Sequence, residues 1–454
     1  MLRIAIVNSM VSAPQNWKHE GNLLLLSKLG RYLARTGRAH TYLLVPDNGD
    51  LSFWHDEPCL TLKPLPSLFP EKCTSGMGYV VDPAAVIRAI RDYGLDMVFV
   101  THSRLATMLA SVFEADGAWR GGGVDAPLIL WDGTPAGEDV VERGAGSGGW
   151  SAAAGFVLAD HVWSFSESVF NAAMTEVRHH YGFAAANNLL EKGTIISAVI
   201  DREYMDEVAG EPVEKRPVFT VHTGGRWSAT KGYGTVAQAV MKLKAAGEEI
   251  AMLNTGMPGS SSVFEKAVAE TGIEVVTGLS QEEMWKLAKT CHVGVLSQDC
   301  QAVPAMAFEQ MALGLPVLVK ATSRLPDVMP QYPLVWGSTE ELMALLTELK
   351  GNYARMTAEC QNWFAANWHK FDISLAGPIV DQIAGQLNAV SVPIRFDERR
   401  RISLAPRAKT MLFFQQSIFA TTMARREAKR LGMVEKLTDE FPVYEEEEPL
   451  AAGG

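Results

Sequence analysis

Short apolar segments alternate along the chain with longer segments whose apolar residues recur every three or four positions. The longer segments, such as residues 21–36 and 83–93, predict helices. The short segments predict strands near residues 2–8, 40–45, 96–101, 127–131 and 161–165, and again near 218–223, 250–255, 273–278, 293–297 and 316–320. Strands that alternate with helices in this way are typical of parallel sheets covered by helices.

The charged, proline-containing segment VAGEPVEKRP, residues 208–217, separates the two series of strands. We therefore expect an α/β protein with two Rossmann-like, doubly wound domains, over residues 1–205 and 206–371, that face a central cleft. Ligands bind to such sheets at the carboxyl ends of the strands. Residues 372–431 predict further helices, the last of them basic, and the acidic residues 432–454 predict a disordered tail.

Length, net charge and cysteine content disfavour several classes of function. The chain has 454 residues, enough for two domains and an extension, and its net charge of -11 disfavours nonspecific nucleic-acid binding as the main task. Its first residues contain no apolar run long enough for a secretory or membrane segment, so we expect a cytoplasmic protein. Five scattered cysteines without a CxxC pair disfavour a disulfide framework or a zinc site.

The segment GGRWSATKGYG, residues 224–234, follows a predicted strand and precedes a predicted helix. Its two glycines, Gly224 and Gly225, permit a tight turn, and Arg226 and Lys231 are cations at the start of the helix. Loop amides, a helix N-terminus and fixed cations together bind anions, so the segment suits a diphosphate. The alternative is a glycine turn beside two solvated cations, and neither the P-loop nor the dinucleotide fingerprint applies.

A single acid lies inside the apolar helix predicted from QAVPAMAFEQMALG, residues 301–314. Pro304 stands where a first helical residue belongs, and Gly314 stands where a helix ends. Because a buried carboxylate is costly without a partner, Glu309 is expected to accept hydrogen bonds from vicinal hydroxyls such as those of a ribose. The alternative is an acid on the helix surface beside Gln310.

The blocks GGRWSATKG and QAVPAMAFEQMALGLPVLV resemble the retaining GT-B glycosyltransferases of the family-4 type, also called glycosyltransferase group 1. That family combines a G-G/V-G-R…K-G block with a later E-x7-E block, and the order of segments agrees over residues 1–370. The resemblance implies a GT-B fold and transfer of a sugar from a nucleotide-sugar donor to a hydroxyl acceptor, with retention of configuration and without a metal or other cofactor. It also implies that a last helix, near residues 372–390, crosses back to the first domain.

The resemblance assigns roles to individual residues. Arg226 and Lys231 are expected to stabilise the leaving diphosphate, and Glu309 to bind the ribose. Gln301 replaces the first acid of E-x7-E, and its amide can bind a sugar hydroxyl but brings no negative charge to an oxocarbenium ion. The other expected donor-binding positions are Gly21, Gly225, Val303, Pro304 and Ala305.

The first domain contributes two further candidates. Asp132 follows the strand that ends in Trp131, at a place where the family often has a histidine. It either receives the acceptor proton, as a catalytic residue, or forms an ordinary turn with Gly133. His102 follows the strand DMVFVT and is either a cleft residue or a structural one.

The basic region at residues 399–430 adds a candidate partner. It either contacts a membrane surface or a polyanion, which would make the protein membrane-peripheral, or packs its aromatic side chains on the first domain. Three other functions stay open: a glycosyltransferase for a modified nucleic-acid base, a GT-B nucleotide-sugar epimerase, and a non-catalytic GT-B binding or scaffold protein. Acid/base carboxylates in the cleft would favour the epimerase, and Gln301 would mark lost activity in the scaffold protein.

Overall fold

The computed structural model describes most of the predicted α/β region. The residues described are 1–7, 21–47, 58–67, 81–115, 126–132, 148–225, 231–256, 272–298, 304–322 and 325–389. Met1–Arg395 form one compact unit. The predicted basic extension and acidic tail lie outside the described residues.

The first half of this unit contains a parallel sheet of seven strands in the order β3-β2-β1-β4-β5-β6-β7. The strands are β1 (Leu2–Val7), β2 (Ala39–Pro46), β3 (Leu60–Leu65), β4 (Met97–Val100), β5 (Leu128–Asp132), β6 (His161–Ser164) and β7 (Gly193–Ile195). The chain order reverses between β1 and β4, which pair directly. A crevice is expected outside the carboxyl ends of two such strands.

In the described ranges of the first half, six helices accompany the sheet, and local sequence explains several of their ends. They are α1 (Gly21–Arg35), α2 (Pro83–Tyr93), α3 (Ser103–Ala115), α4 (Gly148–Leu158), α5 (Glu167–Tyr181) and α6 (Phe183–Lys192). The side chain of Asp82 caps α2 by accepting a hydrogen bond from the Ala84 amide, and Gly94 ends that helix in the left-handed conformation. Ser166 caps α5 in the same way.

The second half contains a parallel sheet of six strands in the order β10-β9-β8-β11-β12-β13. The strands are β8 (Phe219–Gly224), β9 (Ile250–Thr255), β10 (Glu274–Val276), β11 (Val293–Leu296), β12 (Val317–Lys320) and β13 (Val335–Trp336). The other helices that the structure describes are α7 (Arg202–Ala209), α8 (Tyr233–Ala245), α9 (Gln281–Lys289), α10 (Ala305–Ala312), α11 (Leu325–Val328), α12 (Thr339–Gly351), α13 (Tyr353–Asn367) and α14 (Ala376–Ala389). None of the helices in the described part of the chain is long and apolar enough to cross a membrane.

The structure confirms every strand predicted from the apolar pattern and adds three. The three additional strands, β3, β7 and β13, each lie at an edge of a sheet. β3 reads LTLKPL, and its lysine and proline are typical of edge strands. β7 has three residues and β13 two, so neither is long enough to give an apolar alternation.

The chain crosses between the two halves twice, at neighbouring points. Ile200 and Asp372 form an isolated parallel bridge, and the Ile373 amide donates to the Ile200 carbonyl at 2.7 Å. After the second crossing α14 returns to the first half, where Arg38 Nε donates to Asp381 Oδ2 at 3.1 Å. This is the course that the family resemblance implies for the last helix.

The segment after α7 is bound to the second half. Lys289 Nζ, at the end of α9, donates to the backbone carbonyls of residues 209–211 at 2.6, 2.9 and 2.8 Å. Lys215 Nζ donates to the carbonyls of Lys289 and Cys291 at 2.9 and 2.6 Å. The sequence analysis identifies residues 208–217 as the segment between the two series of strands. These bonds attach that segment to the second half, and the chain passes between the halves at the two crossings.

One apolar cluster joins both halves. It runs from the α1 face of the first sheet, through residues 196–200, to both faces of the second sheet. Phe308 of α10 stacks on Phe371 at the second crossing, with ring centroids 3.9 Å apart. A separate apolar cluster covers the other face of the first sheet. The helix that carries Glu309 is therefore packed directly on the connection between the halves.

Gly155 lies where α4 crosses the start of α3. A Cβ at Gly155 would lie 1.9 Å from the Ser103 carbonyl oxygen. Gly155→Ala should therefore lower the free energy of unfolding by about 1–3 kcal/mol, because the two helices would have to move apart. Urea denaturation followed by circular dichroism measures the difference.

Gly385→Ala in α14 is the matched control for that variant. A Cβ there would have no neighbour within 4 Å, so alanine should raise stability by about 0.5–1 kcal/mol through its better helix propensity. A Gly155→Ala protein as stable as the natural one would contradict the close helix crossing.

Candidate functional site

The two motif blocks meet at the carboxyl ends of the strands of the second sheet. β8 ends in Gly224, and a Cβ there would lie 2.6 Å from the terminal methyl group of Met306 in the first turn of α10. Gly225 has a φ of +114°, so the tight turn expected here does require glycine. Arg226 lies outside the described residues, and its place in the site stays a prediction.

Lys231 lies at the switch point of the second sheet. Its Nζ donates to Gln298 Oε1, and its carbonyl accepts a hydrogen bond from the Ser297 hydroxyl at 2.7 Å. Ser297 and Gln298 follow β11, which pairs with β8. The chain order reverses between these two strands. The lysine therefore brings a half-buried positive charge to the position where ligands of doubly wound sheets bind.

A buried histidine connects α10 to the sheet. His222 Nδ1 lies 2.7 Å from Gln310 Nε2, and His222 Nε2 lies 2.7 Å from Thr255 Oγ1. Because an amide nitrogen only donates, Nδ1 accepts the hydrogen bond from Gln310 and Nε2 donates to Thr255. Burial, with a smaller contribution from the charge of Arg216, lowers the pKa of His222 to about 3. The imidazole is therefore neutral near pH 7 and fixes α10 against β8 and β9.

Glu309 is buried, with a side chain only 6% exposed, so it is not an acid of the helix surface. Its Oε1 accepts hydrogen bonds from Lys28 Nζ and, at 3.3 Å, from Gln281 Nε2. Lys28 belongs to α1 in the first half, and its side chain is 3% exposed. Oε2 accepts no hydrogen bond from the residues that the structure describes. Binding of a ribose by Glu309 stays a prediction.

A pocket opens beside Gln281, between α1 and the carboxyl ends of β9 and β10. It is a shallow depression that is open to solvent on one side. Leu24, Leu279 and Met284 give it apolar surface, and the turn at residues 276–280 gives it backbone groups. Gln281 lines this pocket and also contacts Glu309, so a ligand in the pocket would lie next to the buried carboxylate.

The starts of two helices hold three more predicted residues. Pro304 precedes α10 as its cap residue, with φ of -80° and ψ of 74°, and Ala305 begins the helix. The sequence analysis predicts Pro304 as the first helical residue. The helix begins one position later, because the ψ of Pro304 is not helical. Gly21 is the first residue of α1.

Besides Arg226, four predicted residues are not placed in this arrangement by the described part of the chain. His102 lies between β4 and α3 and is 9% exposed. Asp132 is the last residue of β5, paired in register with Ser164, and its side chain lies outside the described part. Gln301 and Val303 also lie outside it. In the part of the chain that is described, no three His, Cys, Asp or Glu side chains are grouped closely enough to hold a metal ion.

Four residues of this region were missed from the sequence. Lys28 and Gln281 bind Glu309, Gln298 binds Lys231, and His222 holds Gln310 of α10. For Lys28 a signal was present, because a cation directly after the apolar run LLLLS lies in a largely apolar helix just as Glu309 does. The two amides and the histidine carry no such signal, since their partners are distant in sequence.

Solved structures identify the fold. Sucrose-phosphate synthase from Thermosynechococcus elongatus matches with a TM-score of 0.63 at 15% identity, over 86% of this chain and 100% of that chain. A trehalose-6-phosphate structure from E. coli, bound with UDP-2-fluoro glucose, matches with a TM-score of 0.57 at 10% identity, over 86% and 100% of the two chains. The chain has the GT-B fold.

A further GT-B structure, of a trehalose-6-phosphate synthase described in the context of glycosyl transfer with retention, matches with a TM-score of 0.59 at 11% identity, over 86% of this chain and 100% of that one. No family model and no curated protein sequence matches the chain. In the GT-B fold the two sheets face each other across a cleft, and Lys28 and Glu309 contact each other between the two halves.

The buried neutral imidazole of His222 should make stability depend on pH. The folded pKa is lowered to about 3 from the ordinary 6.5, so the unfolded chain binds a proton between these values that the native chain does not. The free energy of unfolding should therefore fall as the pH drops below about 6.5, with a contribution from this residue on the order of 1 kcal/mol per pH unit.

His222→Asn should reduce that slope, measured by urea unfolding between about pH 5 and about pH 7. The control is His369→Asn, at an exposed position, which should leave the slope unchanged. Equal slopes in the natural protein and in His222→Asn would show that this imidazole is not held neutral by burial.

Proposed function

We propose that this protein is a glycosyltransferase that transfers a sugar from a nucleotide-sugar donor to a hydroxyl acceptor, with retention of anomeric configuration. The observation that carries the proposal is the position of Glu309. It is a buried carboxylate beside a pocket, and it lies at the same end of the sheet as Lys231 and the start of α10. Carboxylate, ammonium and helix amides are the groups that a nucleoside diphosphate requires.

The base of the nucleotide is proposed to lie over the depression beside Gln281. Leu24 and Met284 provide apolar surface for a flat ring, and the backbone of residues 276–280 provides hydrogen-bonding groups for its edge. The ribose attached to such a base would reach Glu309, because Gln281 touches both the pocket and the carboxylate. Glu309 Oε2 is then the acceptor for a ribose hydroxyl.

The diphosphate would extend from the ribose toward the turn at Gly225. Lys231 supplies positive charge at the switch point, and the first amides of α10 supply hydrogen-bond donors, although Pro304 has no N–H to give. Arg226 is proposed as the second cation. Stabilisation of the charge that develops on the leaving diphosphate is the main catalytic contribution in this proposal.

The chemical step follows from that arrangement. The acceptor hydroxyl attacks the anomeric carbon on the face from which the diphosphate departs, and the departing phosphate oxygen takes its proton. A new C–O bond forms as the bond to the diphosphate breaks, so the configuration is retained and no side chain acts as a nucleophile. Gln301, Val303 and Ala305 are proposed to contact the transferred sugar, and Asp132 to orient the acceptor hydroxyl.

Two structural neighbours support this class of reaction. One is bound with UDP-2-fluoro glucose, and another is a trehalose-6-phosphate synthase studied for glycosyl transfer with retention. The two motif blocks favour the family-4 type within the fold. A cytoplasmic location, and contact of residues 399–430 with a membrane surface or a polyanion, stay predictions.

Calorimetric titration with UDP, GDP, ADP, dTDP and their sugars tests the proposal and identifies the donor. Glu309→Gln should raise the Kd of the preferred nucleoside diphosphate about tenfold, because a hydrogen bond to a charged acceptor is lost. Lys231→Met should also weaken binding, because the diphosphate loses a cation. NMR of the product of a turned-over donor then reports its anomeric configuration.

The 2′,3′-dideoxy form of the same nucleotide is the matched control for Glu309. It lacks the ribose hydroxyls, so Glu309→Gln should change its affinity much less than that of the natural nucleotide. Lys244→Met, at an exposed lysine of α8, is the control for Lys231→Met. Failure of the natural protein to bind any nucleotide of the panel would remove the proposal.

A further inference from the structure

We propose that Lys28 is a positioning residue that couples nucleotide binding to closure of the two halves by pairing with Glu309 across the cleft. The inference rests on the proposed role of Glu309 as the ribose-binding group. It adds a residue from the first half to a site whose other residues proposed to bind the nucleotide lie mainly in the second half.

Lys28 touches both halves and the connection between them. Its Nζ donates to Glu309 of α10 and to the carbonyl of Val199 at 2.9 Å, one residue before the first crossing. It also lies 6.0 Å from the centroid of the Trp285 ring in α9. A single ammonium group thus contacts α10, α9 and the crossing at once.

The same face of α1 carries two further cations that contact the crossing. The Arg31 guanidinium lies 4.0 Å from the centroid of the Tyr204 ring, and Arg35 pairs with Asp201 at 2.9 Å. Positions 28, 31 and 35 follow a helical spacing, so they fall on one face. This face of α1 is therefore the surface by which the first half contacts α7 and α10. Among these three cations, Lys28 is the one that contacts Glu309.

Burial makes this pair sensitive to the distance between the halves. Both side chains are nearly inaccessible, at 3% and 6% exposure, so each charge depends on the other while the halves are together. Removal of one member leaves an uncompensated charge in a dry site, which is strongly unfavourable. Opening of the cleft would return both groups to water. Loss of Lys28 should therefore shift the population from closed toward open molecules.

The geometry also links the pair to nucleotide binding. Lys28 and Gln281 both bond to Oε1 of Glu309, which fixes the rotation of the carboxylate and leaves Oε2 for a ligand. The pocket itself is lined by Leu24 of α1, one helical turn before Lys28. A nucleotide in this pocket contacts both halves, so its apparent affinity should follow the fraction of closed molecules.

A double-mutant cycle tests this inference with the nucleoside diphosphate selected by the titration panel. Lys28→Met should raise its Kd roughly tenfold, within the usual range of coupling between sites. In a Glu309→Gln background, Lys28→Met should cause no further loss of affinity. The carboxylate through which Lys28 acts has gone, and the substitution removes the ammonium that Glu309→Gln leaves uncompensated. Lys28→Arg keeps the charge and should retain most of the affinity.

Two controls separate this role from a general loss of structure. Asp327→Ala removes another contact between the halves, the hydrogen bond from the Ser168 amide at 3.0 Å, which is exposed and does not involve Glu309. It should change the Kd much less than Lys28→Met does. If Lys28→Met fails to fold, the double variant Lys28→Met with Glu309→Gln is used, because it removes both buried charges. The difference in Kd between this double variant and Glu309→Gln alone then shows whether Lys28 acts through a group other than Glu309.

Small-angle X-ray scattering of the full chain measures the opening of the halves, as the radius of gyration, without any nucleotide. Lys28→Met should have a larger radius of gyration than the natural protein, Lys28→Arg and Asp327→Ala. An unchanged radius together with unchanged affinity would overturn the inference, as would an equal loss of affinity in both backgrounds of the cycle. Absence of nucleotide binding by the natural protein would instead remove the proposed function, and scattering would then decide alone whether Lys28 holds the halves together.

Discussion

The ion pair between Lys28 and Glu309 sets the geometry of the cleft, because two charges withdrawn from water must stay in contact. The pair joins α1 of the first half to α10 of the second, so it fixes the distance between α10 and the helix whose Leu24 lines the pocket. Small displacements of either helix would separate the charges without hydrating them. Other contacts of α10 hold this helix in the position in which the ion pair forms.

Three consecutive residues hold α10 in three directions. Phe308 stacks on Phe371 at the second crossing, Glu309 pairs with Lys28 of the first half, and Gln310 bonds to His222 inside the second sheet. Successive residues of a helix point about 100° apart, so three neighbours reach three different surroundings. A short helix with little intrinsic stability is thereby fixed by tertiary contacts on several sides.

Sequence reasoning predicted the fold more fully than the contacts around Glu309. Buried parallel strands have continuous apolar runs, and those runs were readable, whereas β7 and β13 at the sheet edges are too short to show any pattern. Glu309 was recognised as a buried acid that needs a partner, but Lys28 lies 281 positions away, and no local pattern joins them. The roles of Arg226, Gln301 and Asp132 still rest on the family resemblance.

The two crossings of the chain limit how the halves can move. They lie side by side, since Ile200 and Asp372 form a backbone bridge, and the Val199 amide donates to the Phe371 carbonyl at 2.8 Å. Two connections joined in this way resist sliding of one half over the other and leave rotation about the bridge as the easy motion. Each time the cleft closed by such a rotation, the same groups on its two walls would come into contact. Val199, which binds Lys28, would lie close to the axis of rotation.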